Sequence, residues 1–170
     1  VRHQAASGAI PAAPDYPTYR YAWFRDGAFI ADGLSRHGDV ESATAFHDWC
    51  ADTIVRREAL VDDLVRRLAS GEAIPHDDFL PTRYTLDGDD GNEDWENFQT
   101  DGYGSWLWTL RQHLRRHGGD ARRYQRAVTI TARYLSHVWS QPCYDWWEEH
   151  PEQQHISTLG AISAGLDAAL

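Results

Sequence analysis

The segment most informative about the architecture is Asp101-Gly102-Tyr103-Gly104-Ser105-Trp106-Leu107-Trp108-Thr109-Leu110. Its apolar residues continue to Leu114, and Gly118-Gly119 ends the pattern. Such residues cover most of the circumference of a helix, and a helix of this kind is buried on nearly all sides. The segment therefore predicts an inner helix with neighbours on more than one face.

Two further segments have the same apolar character. One covers residues 28–37 and ends at Gly38. The other covers residues 159–170, for which Ser157 or Thr158 is the predicted N-cap. Both predict inner helices.

Two amphipathic segments lie between the apolar ones. The first begins at about Val40 and runs, with or without a break, to Leu68, and the second begins at Asp120 and stops near Pro142. The first segment carries one apolar stripe, formed by Ala43, Phe46, Cys50 and Ile54. Both segments predict outer, half-exposed helices.

This alternation coincides with a faint internal repeat. Asp26-Gly27 leads through a helix to the Arg-His-Gly-Asp run of residues 36–39, and Asp101-Gly102 leads to Arg-His-Gly-Gly-Asp at residues 116–120. Self-similarity at the scale of helix pairs predicts an all-α toroid or solenoid of helical hairpins.

Composition excludes some classes of protein. The chain has 170 residues, enough for one domain, and a net charge of −10, which argues against a nucleic-acid surface. Its apolar runs are too short to cross a membrane. Cys50 and Cys143 fit neither a disulfide framework nor a zinc spacing. The cellular location stays open.

Polar and aromatic residues cluster just before the predicted inner helices. Arg25-Asp26, residues 95–101 and residues 146–149 all lie at such positions, so we expect them to gather at one end of the helix ring. Helix N-termini there would direct N–H donors toward an oxygen-rich ligand.

The last of these clusters is Tyr144-Asp145-Trp146-Trp147-Glu148-Glu149. Neighbouring acids among aromatic rings do not ionise independently, so one can stay protonated and serve as a general acid for glycosidic cleavage. An acidic helix start beside core tryptophans would give the same pattern. In the same way, Arg25-Asp26 fits either a donor and acceptor pair for sugar hydroxyls or an Asp helix cap beside a surface Arg. Trp95 and Trp147 fit either an aromatic wall that packs against a sugar ring or residues of the hydrophobic core.

Two other patterns suggest metal sites but do not follow their rules. The acidic run of residues 87–94 lacks the EF-hand register. His113 and His117 share a helix face, but Arg115 and Arg116 between them disfavour a cation. Basic residues at a helix C-terminus, where they complement the helix dipole, account for all four side chains. We expect no metal.

Taken together, these segments resemble glycoside hydrolase family 15, the glucoamylase and glucodextranase group. The matching runs, in the family's order and spacing, are Tyr21-Ala22-Trp23-Phe24-Arg25-Asp26-Gly27, Trp95-Glu96-Asn97-Phe98-Gln99-Thr100-Asp101-Gly102 and residues 144–149. The resemblance covers nearly the whole chain. It implies an all-α, (α/α)6 toroid-type fold that is incomplete, with residues 1–170 supplying about half of the twelve helices of a catalytic domain and leaving apolar faces of inner helices wet.

The resemblance also implies roles for individual residues. Glu148 matches the general acid that protonates the leaving oxygen, and Glu149 matches a sugar-binding carboxylate. Arg25 and Asp26 match positions that hold hydroxyls of the terminal non-reducing glucose, which implies exo-attack. The aromatic pocket residues match Trp23, Trp95 and Trp147. Asn97 stands where fungal glucoamylases carry an Arg ligand.

The family inverts the anomeric centre, which requires a second carboxylate about 6.5–9.5 Å from the acid. In the family this base lies near the end of the barrel, and no acid of this chain matches it. The resemblance therefore implies an inverting exo-hydrolase that releases glucose from α-glucans or oligosaccharides, uses no cofactor, and needs the remainder of the catalytic domain.

Two other functions fit the same features. A non-catalytic helical carbohydrate-binding or scaffold protein would need no base. A related toroid enzyme, either a disaccharide phosphorylase or a trehalase, would place other chemistry on the same fold. The linkage of the substrate stays open.

Overall fold

The computed structural model describes residues 2–91, 95 and 98–170. Its main elements are α-helices, so the fold is all-α, as predicted. In chain order they are α1 (Phe24–His37), α2 (Val40–Val55), α3 (Glu58–Ala69), α4 (Asp101–His117), α5 (Gln125–Val138) and α6 (Ile156–Ala169). Two short antiparallel strands, β1 (Ala22–Trp23) and β2 (Arg83–Tyr84), pair beside the start of α1.

Helix α4 lies between α1 and α6 and is the central inner helix. The residues of its first two turns are buried: Asp101, Gly102, Tyr103, Gly104, Ser105, Trp106 and Leu107. The prediction of an inner helix from its apolar circumference is therefore confirmed.

Small residues allow α4 to approach both neighbours closely. A Cβ on Gly104 would lie 2.3 Å from the carbonyl oxygen of Ala161 in α6. A Cβ on Gly102 would lie 2.9 Å from the backbone nitrogen of Arg25 in α1. The first turns of α1 and α4 are thus packed against each other, and this contact brings their polar residues together.

The outer layer also follows the prediction. The segment from Val40 to Leu68 is broken into α2 and α3, and its predicted apolar stripe is completely buried. The Asp120 side chain accepts a hydrogen bond from the backbone N–H of Arg122 at 3.0 Å and begins a short 3-10 turn that leads into α5.

Two details of the inner helices differ from the prediction. Ser157 and Thr158 do not cap α6, because the helix begins at Ile156 and Thr158 is turned into the core with 3% exposure. Helices α1 and α6 are also open on one side. Phe29 and Ile30 of α1 are 48% and 39% exposed, and Ile156 is 89% exposed. Burial of α1 and α6 on nearly all sides is therefore not observed, whereas the separate expectation that inner helices leave apolar faces wet agrees with these exposures.

An open groove of about 730 Å³ also separates α4, α5 and the end of α6. Leu107, Leu110 and Leu114 line one side of it, and Val128 lines the other. This groove lies along the part of α4 that is distant from its first turn.

The acidic run of residues 87–94 falls partly outside the described residues, and so does Asn97. Within the described part, Asp89 pairs with Arg56 at 3.1 Å and Asp90 pairs with Arg57. Across residues 2–91, 95 and 98–170, no group of three potential ligands is arranged to hold a metal ion. Over the same ranges, no helix combines the length and apolar character that a membrane crossing needs.

The C-terminal ends of α1 and α4 are joined by a set of polar side chains that we call the histidine cluster: His47, His113 and His117 with Ser35 and Thr44. The His113 ring lies 3.0 Å from the Ser35 hydroxyl and 2.9 Å from that of Thr44. His117 contacts the Ser35 carbonyl at 2.8 Å. The paired histidines of α4 therefore tie its end to α1.

Candidate active site

A cleft of about 200 Å³ lies at the N-terminal ends of α1 and α4, where the loop before α6 passes over them. Its lining residues come from three separate parts of the sequence and are Ala12, Tyr19, Trp23, Arg25, Asp26, Trp146, Trp147 and Glu148. Two of the three clusters that precede the inner helices, Arg25-Asp26 and residues 146–149, thus meet in this lining.

Glu148 has one carboxylate oxygen held and the other free. Its Oε1 accepts hydrogen bonds from the indole N–H of Trp23 and from the side-chain amide of Gln99, both at 3.0 Å. No residue of the described chain bonds to Oε2. The side chain is half-buried at the cleft wall. This arrangement fixes the carboxyl group and leaves Oε2 for a ligand.

The backbone at Glu148 adopts a left-handed conformation with φ of 62°, which is uncommon for a residue other than glycine. Asp145 stabilises this turn, because its Oδ1 accepts the backbone N–H groups of Trp147 at 2.8 Å and Glu149 at 3.0 Å. Desolvation, which raises the pKa of Asp145, is outweighed by these two N–H groups, and the pKa lies below its usual value.

Arg25 connects α1 to the start of α4. Its Nη1 donates to Gln99 Oε1 at 2.7 Å and lies 3.2 Å from Asp101 Oδ2. Burial raises the pKa of Asp101, and the Arg25 charge opposes that shift. Within the part of the chain that the structure describes, Nη2 of Arg25 carries no hydrogen bond, so this donor is available to the cleft.

Asp26 is the second acid of the cleft. Its Oδ2 lies 3.7 Å from Nε of Arg25, and its side chain is 40% exposed. Burial raises the pKa of Asp26, the Arg25 guanidinium opposes this, and the charge of Glu148 adds to the increase. Asp26 therefore offers acceptor oxygens next to the free Arg25 donor, a combination suited to vicinal hydroxyls.

Aromatic rings support one wall. The Trp23 ring is buried, and its centroid lies 5.8 Å from that of Trp95 and 6.1 Å from that of Tyr19. The guanidinium of Arg83 lies 4.1 Å from the Trp95 ring centroid and adds a cation–π contact. Trp147 stands at the edge of the cleft and is 83% exposed.

The structure brings five of the seven predicted site residues into the cleft lining: Glu148, Arg25, Asp26, Trp23 and Trp147. Trp95 packs against Trp23 and supports it. Glu149 is not in the lining; its side chain is 68% exposed, and its carboxylate lies 3.9 Å from the His150 ring.

Two residues that sequence reasoning did not assign to the site are Gln99 and Asp101. Both are buried and both bond to Arg25. They lie inside the second of the three matched sequence runs, which was the available signal. Among the described residues, no group of metal ligands accompanies them.

Comparison with known proteins agrees with this description. Residues 1–170 match the family model of the glycosyl hydrolases family 15. Isomaltose glucohydrolase of Kribbella flavida is 53% identical over 168 residues, which cover 98% of this chain and 44% of that protein. An uncharacterized glycosyl hydrolase of Methanocaldococcus jannaschii is 30% identical over 167 residues, which cover 95% of this chain and 23% of that protein.

Solved structures give the same result. A wild-type glycosidase and a Glu-to-Ala glycosidase variant in complex with glucose each match with a TM-score of 0.94 and 52% identity. Each match covers 98% of this chain and 45% of the other chain, so the chain spans less than half the length of these relatives. The helices described above correspond to part of an (α/α)6 barrel. The chain therefore belongs to family 15 of the glycosyl hydrolases.

Proposed function

We propose that this chain forms part of an inverting, exo-acting glycoside hydrolase that releases glucose from the non-reducing ends of α-glucosides. The observation that carries the proposal is the carboxyl group of Glu148, with Oε1 anchored and Oε2 open to a cleft beside Arg25 and Asp26. A general acid needs this combination of fixed position and access to the leaving oxygen.

In the proposed reaction Glu148 gives its proton to the glycosidic oxygen while the bond from that oxygen to C1 breaks. A water molecule attacks C1 from the opposite face and loses its proton to a second carboxylate, so that the product has the inverted configuration. We propose that this base belongs to a segment outside residues 1–170, because the matched relatives are more than twice as long.

Exo-attack is supported by the pairing of Arg25 with Asp26. The free Nη2 donor and the acceptor carboxylate lie together at the N-terminal end of α1, next to Glu148. Hydroxyls of a terminal glucose would bond to both groups and so place the first glycosidic oxygen near Oε2.

We propose an α-1,6-linked disaccharide as the first substrate to test, because the Kribbella flavida relative is an isomaltose glucohydrolase. Isomaltose, maltose and trehalose compared at equal concentration would rank the linkages. Turnover that requires inorganic phosphate would instead identify a phosphorylase.

The test of the acid is Glu148→Gln in the full-length protein. Loss of general acid catalysis should lower kcat for isomaltose by about 10²–10⁴-fold while substrate binding survives. Glu152→Gln, an exposed acid in the same loop, is the matched control and should retain turnover. Wild-type turnover in Glu148→Gln would remove Glu148 from this role.

Two product analyses test the remaining parts of the proposal. Proton NMR during the first minutes should detect β-glucose before mutarotation, whereas α-glucose would exclude inversion. Substrates capped at the non-reducing end should resist cleavage, and substrates capped only at the reducing end should not. Cleavage of both would exclude exo-attack.

A further inference from the structure

Gln99 lies between two charged groups of the cleft. Its Oε1 accepts a hydrogen bond from Arg25 Nη1 at 2.7 Å, and its Nε2 donates to Glu148 Oε1 at 3.0 Å. The side chain is 1% exposed. One buried amide thus joins the hydroxyl-binding arginine to the proposed proton donor.

The orientation of this amide is determined by its neighbours. An arginine side chain has donors only, so the carbonyl oxygen of Gln99 must face Arg25. The amide nitrogen is then directed at Glu148, where it can only donate. Arg25 is itself held by the buried carboxylate of Asp101 at 3.2 Å. Each group in the series Asp101, Arg25, Gln99 and Glu148 therefore orients the next.

This series fixes one oxygen of Glu148 and not the other. Gln99 and Trp23 both donate to Oε1, so rotation of the carboxyl group about its last bond would break two hydrogen bonds. Gln99 is buried, so its amide occupies a position away from bulk water.

We propose that Gln99 is a positioning residue for proton donation: it holds Oε1 of Glu148 through an amide oriented by Arg25, so that Oε2 faces the leaving oxygen. This inference rests on the proposed acid role of Glu148. It assigns to Gln99 no contact with substrate, and its effect is confined to the step in which the leaving group is protonated.

The test compares two substrates in the full-length protein. Isomaltose has an alkoxide leaving group that needs a proton, whereas the leaving group of α-glucosyl fluoride needs much less proton assistance. Gln99→Leu should lower kcat for isomaltose by about 10²-fold, the size expected when a catalytic group is displaced by about 1 Å. Its kcat for α-glucosyl fluoride should stay close to wild type.

Gln99→Glu provides a second variant with nearly the same shape. It keeps an acceptor for Arg25 but replaces the donor to Glu148 by a negative charge, which favours the protonated form of the neighbouring acid. The basic limb of the pH–rate profile should therefore move to higher pH. Gln112→Leu, on α4 away from the cleft, is the control for a glutamine-to-leucine change.

The outcomes separate this inference from the proposed function. Equal losses on both substrates, or no loss on either together with an unmoved pH profile, would overturn the role of Gln99. Retention of isomaltose turnover by Glu148→Gln would instead overturn the acid assignment itself. Selective loss on isomaltose in both Gln99→Leu and Glu148→Gln would support both.

Discussion

His47 should make the protein lose stability as the pH falls below about 6.5. The ring is completely buried in α2, and neither of its nitrogens has a hydrogen-bond partner in the described residues. Burial lowers the pKa of His47 from 6.5 to about 3, and the neighbouring His113 adds to the decrease while Asp32 opposes it. The folded protein therefore holds this ring in the neutral form.

The sign of the effect follows from linkage. The unfolded chain binds a proton at His47 near pH 6.5, whereas the folded chain does so only near pH 3. Stability is thus complete above pH 6.5 and is lost as the pH falls toward 3. Each pH unit in this window should lower the free energy of unfolding by about 1.4 kcal/mol, or by about 3 kcal/mol between pH 7 and 4.

The assay is urea unfolding followed by tryptophan fluorescence at half-unit steps from pH 7 to 4. His47→Leu replaces the ring with an apolar side chain of similar volume and removes the titrating group. The variant should have a free energy of unfolding less dependent on pH, and the difference from wild type should grow by about 3 kcal/mol across the range. His3→Leu, which alters an exposed ring, is the control.

Parallel curves for wild type and His47→Leu would refute this reasoning. They would mean that the folded state accommodates the protonated His47 ring at little cost, through a water molecule or a local rearrangement. A fall in stability that is common to all three proteins would come from other groups, such as carboxylates, and would cancel in the comparison.

Two further substitutions test the loop and the helix packing. Asp145→Ala should lower kcat by about tenfold with little change in Tm, since the turn that presents Glu148 loses its side-chain acceptor. Asp145→Asn keeps an acceptor oxygen and should retain most activity. Equal losses of kcat in the two variants would contradict this role of Asp145. Gly104→Ala should cost about 1–3 kcal/mol of stability, because its Cβ would meet the Ala161 carbonyl at 2.3 Å. Urea unfolding measures this cost, and Gly160→Ala, which points into open space, should not show it.

Helix positions were predictable because apolar periodicity depends only on local sequence. Gly38 adopts φ of 97° and ends α1 where the prediction placed its end. The pairing of β1 with β2 was not predictable, because it joins segments about sixty residues apart in the sequence. The predicted cap of α6 was wrong for a related reason. Local propensity would have placed Thr158 at the helix end, whereas burial against the core turned it inward.

The site was predictable to the level of segments but not of single contacts. Inner helices α1 and α4 point the same way, so residues before them meet at one end. Glu148 and Glu149 are adjacent in sequence, yet the left-handed turn at Glu148 sends one side chain to the cleft and the other to solvent. Gln99 carries neither charge nor periodicity, and only the distances to Arg25 and Glu148 single it out.

The two ends of the bundle should be separable in experiment. In α4, Asp101 at the cleft and His113 in the histidine cluster are twelve positions apart, which is about 18 Å along a helix. This distance is roughly twice the screening length at physiological salt, so a charge at one end has little effect at the other. Gln99→Leu should therefore leave the pH dependence of unfolding unchanged. His47→Leu should alter that dependence and leave the ratio of isomaltose to glucosyl fluoride turnover unchanged. A variant that changed both quantities would show that α1 and α4 transmit a rearrangement along their length, and the roles of Gln99 and His47 could then not be assigned independently.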